Sequence, residues 1–179
     1  FLIINFILLG INFTNQHHDM VLILTSQIII MSSFLLFNFP KARIFLGDAG
    51  SYLCGSLIAI NIIKTHQLNP QTSSFFYTSI LFYLFYEVFF SFIRKFTKKK
   101  SPLNPDRFHL HMLLYNFLLK SKNITNANYK TSVLINMIYF ILIIPAIFLQ
   151  KYGLISRYYF FFLIVFYSFT YYFLQKTKK

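Results

Sequence analysis

Six apolar runs separated by polar connectors organise this chain, at roughly 1–13, 20–39, 50–63, 75–93, 132–149 and 155–174. A helix needs about 20 mostly apolar residues to cross the hydrocarbon core of a bilayer. The first run is shorter than that. The third reaches it only by extending to Lys64 or His66, whose side chains snorkel toward the interface. The pattern predicts an all-α, polytopic integral membrane protein with about six transmembrane segments in a single membrane domain over 1–179. The connectors are 14–19, 40–49, 64–74, 94–131 and 150–154, with a tail at 175–179. Pro145 falls inside a run and reads as a helix kink. The chain opens on Phe1, inside an apolar run, and is read as part of a longer protein.

Charge adds an orientation. Of the 17 Lys and Arg, alternating connectors put Lys41, Arg43, the nine from Arg94 to Lys130, and Lys176, Lys178 and Lys179 on one side. Only Lys64, Lys151 and Arg157 fall on the other. Cytoplasmic loops accumulate Lys and Arg, so 40–49, 94–131 and the C-terminus are expected in the cytoplasm. The same bias accounts for the net charge of +13. Nucleic acid is not an expected partner, because the 25 Phe and 13 Tyr lie within the apolar runs and do not interleave with the basic residues. The cluster Lys95, Lys98, Lys99 and Lys100 reads first as a topology and anionic-lipid signal. The single cysteine, Cys54, excludes an internal disulfide and reads as a small packing residue.

Four acids carry what chemistry there is: Asp19, Asp48, Glu87 and Asp106. Asp19 lies beside His17 and His18 on the far side and reads as a solvated loop. Asp48 sits in Gly47-Asp48-Ala49-Gly50-Ser51, where glycines allow a sharp turn and Ser51 is taken to begin the next helix. The amides of a helix start favour an anion, and a carboxylate there suits a hydrated divalent cation that also holds phosphate; capping the helix is the alternative role. Glu87 lies inside the fourth run, where it must meet water or a partner; Arg94, seven residues on, shares its face. A structural pair and a catalytic role both fit it. In 101–111, Asn104 and Pro105 read as the N-cap and first residue of a helix. On such a helix Asp106 and His109 share a face, whereas His109 and His111 lie about 200° apart and cannot hold one metal together. Arg107 and the histidines are then donors for phosphate or sugar. A helix over 112–119 is expected to lie on or dip into the membrane.

The stretch from Asn38 to Ser51, NFPKARIFLGDAGS, followed about fifty residues later by SPLNPDRFHLH from Ser101 to His111, resembles the polyprenyl-phosphate N-acetylhexosamine-1-phosphate transferases. These are bacterial enzymes of the glycosyltransferase 4 type, with the phospho-N-acetylmuramoyl-pentapeptide transferase as a sister branch. The resemblance is close over about 34 to 114. It implies the C-terminal portion of a roughly ten- or eleven-helix fold in the bacterial inner membrane, with 94–131 a cytoplasmic loop carrying the histidines. It implies transfer of N-acetylhexosamine-1-phosphate from a UDP-sugar to undecaprenyl phosphate, with release of UMP, as the start of cell-envelope polysaccharide synthesis. Magnesium is the implied cofactor, with manganese as the alternative ion. Asp48 matches the family's magnesium ligand and is a catalytic candidate with His109 and His111. Asn38 and Phe45 match nucleotide contacts, Phe45 by stacking on uracil. Gly47, Ser51, Asp106 and Arg107 complete the expected substrate-binding set.

Three features depart from the family pattern. An early Asp-Asp pair and an Asn-x-x-Asp-Gly-x-Asp-Gly motif would precede residue 1, so this chain alone is expected to be inactive. Met112 stands where the family carries the last histidine of His-x-His-His. Leu84-Phe-Tyr-Glu87 stands where the family has Pro-x-x-Asp. The alternative function is therefore a truncated or degenerate, non-catalytic homologue that binds lipid or partners. A transporter would need polar residues facing one another at mid-membrane, and Glu87 is the only acid within any run.

Overall fold

A computed structural model of the chain describes residues 1–40, 42–99, 101, 108–120 and 126–177. Among them the architecture is all-α: α1 Leu2–Thr14, α2 His18–Asn38, α3 Gly47–Leu68, α4 Ser74–Thr97, α5 Leu110–Lys120, α6 Ala127–Leu149 and α7 Gly153–Thr177. The expected helices at Asn104 and Pro105, and the side chains of Asp106 and Arg107, lie outside the described residues.

Among the described residues four helices are long and apolar enough to cross a membrane: α2, α4, α6 and α7. At 1.5 Å per residue each spans about 30 Å or more, the thickness of a bilayer core. The expected six segments differ at two places. α1 has only 13 residues. α3 has 22, but Asn61, Lys64, Thr65, His66 and Gln67 dilute its second half. The outward surface suits lipid, with Leu36, Phe37, Phe85, Phe148 and Phe169 largely exposed. Hydroxyls on exposed positions are satisfied within their own helix, as lipid requires: Ser26, Ser33 and Ser56 each donate at 2.9 Å to the carbonyl four residues back.

α1 packs on α2 and α3, α4 on α6 and α7, and α5 bridges α6 and α7. One core joins Ile4, Leu8 and Leu24 to Phe76 and Ile80 of α4 and Ile143 of α6. A second gathers Phe82, Leu113, Leu163, Tyr167 and Tyr171 between α4, α5 and α7. Rings dominate this second contact, with Phe90 and Tyr171 centroids 4.7 Å apart and Tyr86 and Tyr167 edge-on at 5.0 Å.

Between α1, α2 and α3 runs a seam of amides. Asn61 donates to Gln27 at 2.7 Å and to Asn5 at 3.2 Å, and Asn5 donates to Gln27 at 3.1 Å. Two turns on, Asn12 donates to Thr65 at 2.9 Å, and Asn15 to Asn69 at 2.6 Å. Polar residues thus do face one another inside the bundle, contrary to the expectation from acids alone. They close on each other as neutral pairs, the pattern by which amides join membrane helices.

Cross-contacts fix which termini share an end. Asn15 to Asn69, and the Ser73 N–H to the Gln150 carbonyl at 2.7 Å, bring the α1/α2, α3/α4 and α6/α7 turns together. Phe39 packs on Tyr129 with centroids 5.2 Å apart, and Lys120 donates to the Thr177 carbonyl at 2.7 Å. The α2/α3 turn, the end of α4, the end of α5, the start of α6 and the end of α7 therefore share the opposite end, which holds most of the basic residues among those described.

Candidate functional site

At that basic end, α3 starts four residues earlier than the sequence suggested, at Gly47 instead of Ser51. Gly47 takes φ +69, a left-handed conformation that glycine reaches without steric cost and that turns the chain into the helix. Gly50 leaves room for the Leu46 side chain to lie against the helix; a Cβ at 50 would meet Leu46 Cγ at 2.6 Å. Asp48 therefore lies in the first turn, where helix-terminal amides favour negative charge. Its side chain is exposed and makes no hydrogen bond among the described residues. Ser51 lies in the second turn and spends its hydroxyl on the Asp48 carbonyl at 2.9 Å.

Before this helix the chain is open. Phe45 is 88% exposed, leaving its ring face free for stacking. Asn38, the last residue of α2, buries its Oδ1 with no hydrogen-bond partner, a costly state for an amide oxygen.

The second loop is built differently. Glu87, nearly three turns from the end of α4, accepts from three donors: His109 Nδ1 at 2.9 Å, the Leu110 N–H at 3.0 Å and the Tyr167 hydroxyl. The carboxylate thus satisfies itself inside the bundle with donors from His109, from the first residue of α5 and from α7. Arg94 does not take Glu87 as its hydrogen-bond partner. Its guanidinium donates to the Phe108 carbonyl, to the Tyr171 hydroxyl and, at 3.1 Å, to Ser91 Oγ, and lies over the Phe108 and Tyr171 rings. Lys98 also approaches the Phe108 ring, at 5.6 Å.

α5 begins at Leu110, whose otherwise unpaired amide Glu87 takes, and His109 stays outside it. The sequence placed both histidines on a continuous helix, about 200° apart. With His109 off the helix the rings instead stack, centroids 5.6 Å apart and planes 14° from parallel. For His111, desolvation lowers the pKa, Glu87 raises it and His109 lowers it, the net direction being downward. Met112 follows on α5, half-buried beside Leu113 and Leu114.

Among the described residues no cluster of three or more His, Cys, Asp or Glu forms, and no hydrogen bond or ion pair joins Asp48 to either histidine. The two loops share an end of the bundle without touching through these side chains. The sequence offered Arg94 as the structural partner of Glu87 and missed His109; an ionisable residue in a membrane run was the signal, and its partner depended on where α5 starts. Beneath the pair lies an apolar cavity of about 210 Å³, bordered by Tyr83, Leu110, Leu114, Tyr139, Leu163 and Tyr167.

Residues 1–66 match the family model described as glycosyl transferase family 4. The chain is 36% identical over 78 residues to the undecaprenyl-phosphate alpha-N-acetylglucosaminyl 1-phosphate transferase of Thermotoga maritima, an alignment covering 44% of this chain and 25% of that protein. Over 152 residues it is 32% identical to the probable undecaprenyl-phosphate N-acetylglucosaminyl 1-phosphate transferase of Bacillus subtilis, covering 82% of this chain and 40% of that one. The protein of the former name from Haemophilus influenzae is 35% identical over 88 residues, covering 46% and 24%. The matched part is thus 24% to 40% of each of these relatives' length. No solved structure matches the chain significantly.

Proposed function

We propose that this chain, whose residues 1–66 match the glycosyl transferase family 4 model, is part of a membrane enzyme that transfers N-acetylhexosamine-1-phosphate from a UDP-sugar to undecaprenyl phosphate and releases UMP. The observation that carries the reading is the shared end of the bundle. The turn bearing Asp48 and the loop bearing His109 and His111 lie at the same basic end, where a nucleotide and a lipid phosphate can both be met. The names of the relatives support the same acceptor and sugar class. The excess of Lys and Arg there favours a cytoplasmic location, the side on which sugar nucleotides are available, in a bacterial inner membrane.

Asp48 fits one ligand of a magnesium ion. It is an exposed oxygen donor with no side-chain hydrogen bond to give up, beside helix amides that suit a phosphate. A lone carboxylate matches an ion that otherwise keeps water and substrate oxygens. Bound there, magnesium would offset the diphosphate's negative charge as the phosphoryl group transfers. The chain's own residues do the rest. Phe45 offers a face to the base, Asn38 an amide at the root of the turn, and His109 and His111 their ring nitrogens to phosphate oxygens. Asp106 and Arg107 remain candidates for the same phosphate or sugar contacts.

The test is a membrane assay on the full-length protein with radiolabelled UDP-N-acetylglucosamine and undecaprenyl phosphate, with and without magnesium. Lipid-linked sugar that forms only with the metal is the expected result. No product from well-folded protein, with any UDP-N-acetylhexosamine, would instead identify a non-catalytic homologue that binds lipid or partners.

A further inference from the structure

We infer that Glu87 and Arg94 are positioning residues that grip the peptide 108–110 from α4 and hold His109 by its Nδ1, leaving Nε2 as the ring's free nitrogen at the basic end. This rests on the transferase reading only for what His109 then does. The grip itself stands on geometry.

The two charged groups lie seven positions apart on one face of α4 and take adjacent parts of the same short segment. Arg94 donates to the Phe108 carbonyl; Glu87 accepts from the His109 ring at 2.9 Å and from the Leu110 amide at 3.0 Å. Each is also tied to a tyrosine one turn apart on α7, Glu87 to Tyr167 and Arg94 to Tyr171. A carbonyl can only accept and an amide N–H can only donate, so the segment fits a basic group at 108 and an acidic group at 109–110, and not the reverse.

The consequence falls on the imidazole. A carboxylate is an acceptor, so the nitrogen facing it carries the proton, and the neutral ring then has Nε2 bare. A histidine free in water prefers the opposite tautomer. The exposures match a support and a working group: the Glu87 side chain is 13% exposed and that of His109 30%. A carboxylate that served only to join helices would not need a ring at the solvent edge as its partner. Nε2 can then take or share a proton on a phosphate oxygen, in one tautomer and one orientation.

The experiment uses the full-length protein in lipid nanodiscs, labelled with ¹⁵N-histidine, with the His109 signals assigned by their loss in His109→Ala. At about pH 8, above the ordinary histidine range, wild type is expected to show the Nδ1–H form at His109. Glu87→Gln moves it toward the Nε2–H form, and Glu87→Asp retains more of the wild-type pattern. In the transferase assay Glu87→Gln lowers kcat by about 10- to 100-fold, with KM for the UDP-sugar within about twofold and Glu87→Asp falling between. An unchanged His109 tautomer in folded Glu87→Gln overturns the inference, as does a loss of activity that only tracks the loss of folded protein. If wild type forms no product, the transferase reading falls, and the tautomer measurement still decides the Glu87–His109 grip.

Discussion

Between α1, α2 and α3 the buried polar groups are neutral amides that satisfy one another, whereas between α4, α5 and α7 they include a carboxylate and a guanidinium that reach out to a loop. Both arrangements meet the demand that polar groups in a bilayer find partners within the protein. They differ in what is left over. The amide seam is closed, since Asn5, Gln27 and Asn61 use each other. The charged region ends on an imidazole that keeps an open side. The positions of the two candidate groups are reversed with respect to this. Asp48, on the half with the closed seam, is exposed and unbraced, while His109 is held by Glu87 of α4. A free carboxylate suits a ligand that arrives with its own ion and waters; a braced imidazole suits a role that needs fixed orientation.

The sharpest way to test that contrast is at Asp48. Asp48→Asn removes a charge that no side chain among the described residues uses, so the loss should be chemical. Formation of lipid-linked sugar by the full-length protein is expected to drop by about 100-fold or more. Stability should change by less than about 1 kcal/mol, the scale of a helix-end charge. Turnover at the wild-type rate would remove Asp48 from the mechanism. A large loss of stability would mean that the carboxylate is braced after all.

The seam should respond in the opposite way. Asn61→Leu strips Gln27 and Asn5 of a shared partner while leaving the basic end untouched. Unfolding of the purified protein in mixed micelles should then require about 1 kcal/mol less, near the upper range for amide contacts between membrane helices. Activity per folded molecule should stay at the wild-type level. An activity loss exceeding the stability loss would show that the two halves are coupled through α1–α3 packing.

The long apolar runs made α2, α4, α6 and α7 legible in the sequence, because a helix that meets lipid on most sides must be apolar on most sides. The start of α3 was not legible. Gly47, Asp48 and Gly50 look like a loop, yet the helix begins at Gly47, with the Leu46 side chain lying over residue 50. The amide seam left a readable trace: Asn5 and Asn12 lie seven apart, and Asn61, Thr65 and Asn69 four apart, each set on one helical face. Weighing only acids passed over it. The stacking of His109 on His111 had no local signal. It follows from where α5 starts, and the amide at that start is taken by Glu87, more than twenty residues away in the chain. Asp48, Phe45 and the two histidines were singled out by residue type and motif, and the turn and the histidine loop do come to one end. Their approach to a common ligand depends on what binds there.

The smallest expected effect concerns His111 and belongs to the charged half. Its pKa is lowered, mainly by desolvation, so the folded protein resists protonating it more than the unfolded chain does. The neutral ring's contribution is therefore complete above the ordinary histidine value of about 6.5 and is lost as pH falls from there through the depressed value. Glu87 opposes the shift and His109 reinforces it, so the net effect depends on the stacked pair staying together. Wild-type Tm in nanodiscs should thus decline more between pH 7 and pH 5 than that of His111→Gln, which has no proton to gain. The two proteins should differ least at the neutral end of the range. Parallel declines would mean that His111 titrates as it does in the unfolded chain, and that its ring is free of its neighbours at this edge of the loop.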